Sequence, residues 1–196
     1  PPPPPTLPDS SAASDVYKRQ GEYDEAMIAI ENGLKIDSAY TPLLALAVKV
    51  SLMQKNTVEA DKYSEVLSGV DKANETVLLY NVSKLVAEQH ITEALNQIEK
   101  YSESRAFTTK VVETYFVLTQ ETKTWHKFIS TVNKGVHKTN YDVSLLLARA
   151  YVAVEQFDEA RSILDKFPLK NNRYFESLVE LAYAVSYTHL TLPTSR

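Results

Sequence analysis

Apolar residues recur along this chain at helical spacing, and the helices they predict are short and paired. Ser144–Phe167, SLLLARAYVAVEQFDEARSILDKF, reads as two amphipathic stretches on either side of a tight turn at Val154–Phe157. In Gly21–Ser38, Ala26, Ile30 and Gly33 fall at i, i+4 and i+7, one stripe of a helix. Asp24 and Glu25 are placed in its first turn, where the helix dipole favours acids. Thr41–Gln54 follows, with Pro42 at a first-turn position that tolerates proline, and then Thr57–Gly69. Glu75–Glu88 pairs with Ile91–Tyr101, Thr124–Val136 supplies a later helix, and Tyr174–Val185 supplies the last.

The second helices of these pairs keep a common spacing. Ala26 to Ala60 is 34 residues, and Ala60 to Ala94 is 34 again. Ala94 to Ala160 is 66, or 34 plus 32, which puts the missing intermediate at Phe128. A helix–turn–helix repeated at this period predicts an all-α repeat solenoid, in which each unit covers the apolar face of its neighbour.

The residues at fixed places within the period resemble those of the tetratricopeptide repeat family. In the best unit Leu147 and Ala148 stand for its Leu-Gly pair, Tyr151 for its tyrosine, Phe157 for its aromatic and Ala160 for its alanine. Leu164 and Phe167 take the last two packing places, and Gly21, Tyr23, Ala26, Ile30, Gly33 and Ser38 fill the second half of the first unit. The middle units depart from the pattern. Ser64 stands where a large apolar residue is wanted, and Phe128 replaces the small residue, so the helices of the unit near Phe107–His137 must be spaced differently. The resemblance implies a superhelix over residues 21–185 with about five units, cut in mid-repeat at both ends.

It also implies a non-catalytic scaffold that binds a protein or peptide in a concave groove lined by the first helix of each unit. The family's groove positions fall on Ala45, Lys49 and Leu52, then on Leu79, Ser83 and Val86. They continue at Glu113, Val117 and Gln120, at Leu145, Arg149 and Val152, and at Val179 and Tyr183. A clamp for a peptide's terminal carboxylate is not expected, because Ser83 stands where an asparagine is wanted and Lys49 and Arg149 lie units apart.

Composition narrows the chemistry. The hydrophobic share of 44% and charged share of 23% are ordinary for a globular protein. The net charge of −4 is spread over interspersed acids and bases, so no nucleic acid partner is expected. The absence of cysteine removes disulfides, thiolate chemistry and cysteine-held zinc. His126 and His137 would sit about 16 Å apart along a helix, too far to share a metal. Four glycines are too scattered to cradle a phosphate, and no acid/base pair or nucleophile motif stands out. Neither a catalytic site, a cofactor nor a metal is therefore expected, and no stretch is apolar for long enough to span a membrane.

The two ends differ from the rest. Pro1–Gln20 opens with five prolines, and Ser186–Arg196 has no helical period. Thr6-Leu7-Pro8-Asp9-Ser10 and Thr191-Leu192-Pro193-Thr194-Ser195 nearly repeat each other. Both segments resemble translated sequencing-adapter strings found in reading frames from metagenome assemblies, which implies a fragment of a longer bacterial protein. A helix over Ser10–Gln20 remains compatible with its residues, with Asp9 or Ser10 as cap. Residue texture resembles envelope lipoproteins of exosortase and exopolysaccharide systems. A regulatory array belonging to a larger enzyme or transcription regulator, and an RNA-binding helical repeat, are the other readings. Cytoplasm and bacterial envelope both stay open.

Overall fold

The computed structural model describes residues 10–135, 141–166, 179 and 181, with side chains from residue 21 onward. All elements among the described residues are helical: α1 (Ser10–Ile36), α2 (Thr41–Met53), α3 (Thr57–Val70), α4 (Glu75–Ala87), α5 (Ile91–Ser102), α6 (Thr109–Thr122), α7 (Trp125–Gly135), α8 (Tyr141–Ala153) and α9 (Phe157–Leu164). The predicted pairs are present, with ends shifted by a residue or two, as fraying helix termini commonly are. Val179 and Leu181 are helical as well; the rest of Tyr174–Val185 and the segments 1–9 and 186–196 lie outside the described residues.

One predicted boundary is corrected. No helix starts at Gly21: α1 runs unbroken from Ser10, so Asp24 and Glu25 lie in mid-helix and have no first turn to stabilise. A single interior glycine costs a helix only about 1 kcal/mol against alanine, too little to stop one whose neighbours favour it.

The turn inside each pair is the most regular feature of the backbone. Lys55, Gln89, Lys123 and Glu155 have φ of 58°, 64°, 58° and 60°, the left-handed region that ordinarily selects glycine. Their spacings are 34, 34 and 32, and each stands five residues before Ala60, Ala94, Phe128 or Ala160. Three of the turns carry the doubled helix-ending bonds of this cap. The Asn56, His90 and Gln156 amides donate to the Ser51, Leu85 and Tyr151 carbonyls at 2.9, 2.8 and 2.9 Å. At the fourth, the Lys123 amide donates to the Thr119 carbonyl at 2.8 Å. The unit around Phe128 therefore keeps the common register despite its altered packing.

A second turn recurs between pairs. Asp37 and Asp71, 34 residues apart, each accept from the amide two residues on, Ala39 at 3.0 Å and Ala73 at 3.2 Å. Such aspartate turns hold the chain between one helix's end and the next helix's start.

The chain divides into two compact units, Pro1–Tyr80 and Asn81–Arg196, with the boundary inside α4. In the first, Ile30, Leu44, Ala47, Val48, Ala60, Leu67, Val77 and Tyr80 form one buried cluster, with Ala26 and Met27 packed against it. Helices α1 and α2 approach closely at Gly33, where an added Cβ would meet the terminal methyl of Leu43 and require that side chain to turn aside. Tyrosine hydroxyls tie helices at the rim: Tyr80 on α4 donates to Asp61 on α3 at 2.9 Å, and Tyr63 on α3 to Glu31 on α1 at 3.5 Å.

In the second unit aromatics take over the core. Phe116 stands at the family's glycine place and Phe128 at its alanine place, and the two rings meet edge to face at 5.6 Å. Phe128 also packs on Tyr115 at 5.1 Å, and Phe116 on Trp125 at 5.4 Å. The Tyr115 hydroxyl donates to Glu99 at 3.0 Å, and Lys127 meets the other oxygen of that carboxylate at 2.6 Å. Toward the end of the chain Leu145, Ala148, Ala160, Leu164 and Leu181 close a further buried cluster.

Candidate functional site

A helix in a stacked array packs two flanks against neighbours and leaves one stripe open. For the first helices of the pairs, α2, α4, α6 and α8, that stripe is where the family resemblance leads a partner to be expected. The left-handed turns now fix its register in every pair, since each turn residue ends the first helix.

On α2, Lys49 is exposed and Leu52 is 39% exposed, while Ala45 is half-buried against the core of the first unit. Two further apolar side chains share the stripe: Leu46, 44% exposed, and Met53, 59% exposed. Neither falls on a family groove position, and the pattern did not single them out. The available signal was compositional, because Lys49 is the one charged residue in TPLLALAVKVSLM. A helix apolar on nearly every side has more hydrophobic surface than its own unit can cover.

On α4, Leu79 and Val86 are half-buried and Ser83 is exposed. On α6, Val117 is 55% exposed and Gln120 is exposed, with Glu113 half-buried. On α8, Arg149 is half-buried with its guanidinium over the Phe116 ring at 5.4 Å, and Val152 is half-buried against the α8–α9 core. Arg149 on α8 is thus tied to α6 by cation–π attraction.

Leu145 is corrected. It is 4% exposed and sits among Ala148, Ala160, Leu164 and Leu181, so its side chain packs a buried cluster and does not line the open stripe. The small residues Ala148 and Ala160 let α8 and α9 draw close, and Leu145 packs in the same buried cluster. Val179 is exposed, and Tyr183 lies outside the described residues.

The electrostatics are quiet. Burial, with the Glu99 carboxylate beside it, pushes the Tyr115 hydroxyl well above the ordinary tyrosine range, and burial with Glu31 raises that of Tyr63. The Glu59 carboxylate, as hydrogen-bond and charge partner, raises Lys62. None of these groups lies on the first-helix stripes. No three His, Asp or Glu side chains among the described residues converge on a metal-sized site.

Residues 135–181 match the tetratricopeptide repeat family model, a span that contains the most faithful unit, α8 and α9. The chain is an all-α helical repeat array, and its residues 135–181 carry the tetratricopeptide repeat pattern. Solved structures extend the likeness along it. The structure of pilF from Pseudomonas aeruginosa superposes with a TM-score of 0.58 at 18% identity, covering 91% of this chain and 88% of that one. The structure of PilW, described as a widely conserved type IV pilus biogenesis factor, superposes with a TM-score of 0.55 at 13% identity, covering 94% and 93%. At these identities the likeness is one of fold. No curated protein sequence matches the chain. Among the described residues of this repeat array, no helix is long and apolar enough to cross a membrane.

Proposed function

We propose that this repeat array is a non-catalytic scaffold that holds a protein or peptide on the open stripes of its first helices. The observation that carries the reading is the exposure of Leu46, Leu52 and Met53 on α2 and of Val117 on α6, apolar side chains facing solvent on helices whose other flanks are packed. Exposed apolar side chains grouped this way suit a partner's apolar surface better than a substrate that needs reacting groups. The net charge of −4 supports a protein partner over nucleic acid, whose phosphates require a basic face.

A displayed random-peptide library panned against the full chain tests this. Selected peptides are expected to lose binding to Leu52→Asp or Val117→Asp and to keep it for Val58→Asp on α3. Peptides that ignore both first-helix substitutions contradict the proposal.

A second reading places the scaffold in the assembly of a bacterial envelope machine. It is supported by the fold likeness to PilW, whose own description is a type IV pilus biogenesis factor. Affinity purification from the source cell tests it, with envelope-assembly components expected among specific partners and soluble regulators alone contradicting it.

A further inference from the structure

The open stripe of α2 carries a partner specification of its own, which rests on the scaffold reading above. Of the thirteen residues of α2, Leu44, Ala47, Val48, Val50 and Ser51 face inward. Leu46, Lys49, Leu52 and Met53 face solvent, spaced at i, i+3, i+6 and i+7 along one side. Lys49 is the single charge in this stripe, and no carboxylate pairs with it among the described residues. From the geometry we infer that α2 receives an amphipathic helix of a protein partner, whose apolar stripe carries one Asp or Glu side chain at its middle, opposite Lys49.

Each part of that specification follows from placement. Leu46 stands three residues before Lys49 and Leu52 three after, about 4.5 Å to either side at 1.5 Å per residue. A carboxylate reaching Lys49 is therefore flanked by apolar contacts on both sides, as a side chain within a segment is and a chain terminus is not. Ala45 to Met53 spans about 12 Å, which matches about two turns of a partner helix. Helix-in-groove recognition uses such i, i+3, i+4 and i+7 anchors.

The other occupants fit worse. A second copy seated two-fold about the middle of this stripe would set Lys49 against Lys49, because the residue at the axis meets its own copy. An anionic lipid surface would meet a unit in which residues 21–80 carry ten acidic side chains against five basic ones. A strongly acidic partner is disfavoured for the same reason, so the segment carries one acid within an apolar stripe.

The test uses the full chain and stapled helical peptides of about 14 residues, long enough to exceed the footprint when held helical. The three peptides share one apolar stripe and carry Glu, Gln or Lys at its centre; binding is read by fluorescence anisotropy. The Glu peptide is expected to bind about tenfold more tightly than the Gln peptide and the Lys peptide more weakly still, a step of about 1.4 kcal/mol per tenfold. Lys49→Glu should reverse the order, Lys49→Gln should level it, and Leu52→Asp should abolish binding of all three. Circular dichroism melts of each variant establish that the fold is retained. Equal binding of the Glu and Gln peptides with Leu52 dependence intact overturns the acidic-helix inference and leaves the scaffold reading standing. Binding that ignores Leu52→Asp overturns the inference, as does failure of all three peptides to bind. Sedimentation with phosphatidylglycerol vesicles, or self-association in ultracentrifugation, overturns it too if Leu52→Asp removes either one. The scaffold reading itself fails separately, when library-selected peptides ignore the first-helix substitutions.

Discussion

Tyr115 and Phe128 pack with ring centroids 5.1 Å apart, at a level where the other pairs place alanine: Ala60, Ala94 and Ala160. In those pairs a methyl group lets two helices close up. Around Phe128 three rings, Tyr115, Phe116 and Phe128, occupy the same level, and the array keeps its register while changing its filling.

Phe128→Ala restores the family residue and is nonetheless expected to destabilise. The ring is fully buried, and truncating a buried phenylalanine costs about 3–5 kcal/mol when neighbours cannot collapse into the space. Urea unfolding followed through Trp125, the chain's single tryptophan, measures it; a rise in midpoint contradicts the account.

The left-handed turns predict gains. An L-residue pays about 1–2 kcal/mol to adopt αL, and glycine's extra unfolded-state entropy returns about 0.5–1 of it. Lys55→Gly, Gln89→Gly, Lys123→Gly and Glu155→Gly should each raise stability by up to about 1 kcal/mol, whereas valine at any of them should lower it. Thermal melts of the four single variants decide this.

Two buried hydroxyls predict opposite outcomes. Ser51 is fully buried, and its Oγ has no hydrogen-bond partner among the described residues, while Thr119 Oγ1 donates to the Tyr115 carbonyl at 2.8 Å. Ser51→Ala removes an unsatisfied group and should stabilise by about 1 kcal/mol. Thr119→Ala loses both a bond and a buried methyl and should destabilise by about 1–2 kcal/mol. Denaturation of the two variants side by side separates them.

Alkaline pH gives a further handle. Burial raises Tyr115 above its ordinary value of about 10, so the folded state holds this proton after the unfolded chain has released it. The contribution is complete below pH about 10 and is lost as pH climbs from there toward the raised value, at up to about 1.4 kcal/mol per pH unit. Tyr115→Phe should flatten that loss, although it lowers stability near neutrality by removing the bond to Glu99. Stability profiles of the two proteins from pH 8 to 11 show it; parallel alkaline limbs contradict it.

The helix pairs and their 34-residue register were legible because close helix approach needs a small residue at one place, and Ala60, Ala94 and Ala160 mark it. Phe128 was locatable by subtraction alone. The turns were not legible as left-handed, because lysine, glutamine and glutamate carry no signal for positive φ; the cap's hydrogen bonds hold them there. The start of α1 was misplaced because Gly21 looks like a boundary while the residues before it favour helix equally. On the candidate face, a register taken from position alone put Leu145 beside Arg149 and Val152, and could not see that it packs with Ala148, Ala160, Leu164 and Leu181. It passed over Leu46 and Met53 because exposure on α2 depends on what its neighbours leave uncovered.

The central claim is that the first helices carry the partner, and site-resolved photo-crosslinking tests it most directly. Benzoylphenylalanine placed at Leu52, Val117, Val58 or Val66, one at a time, is irradiated with a library-selected peptide, all four sites being exposed. The account predicts crosslinks from Leu52 or Val117 on α2 and α6, and none from Val58 or Val66 on α3. Crosslinks confined to α3 would place the partner on the second helices and contradict it.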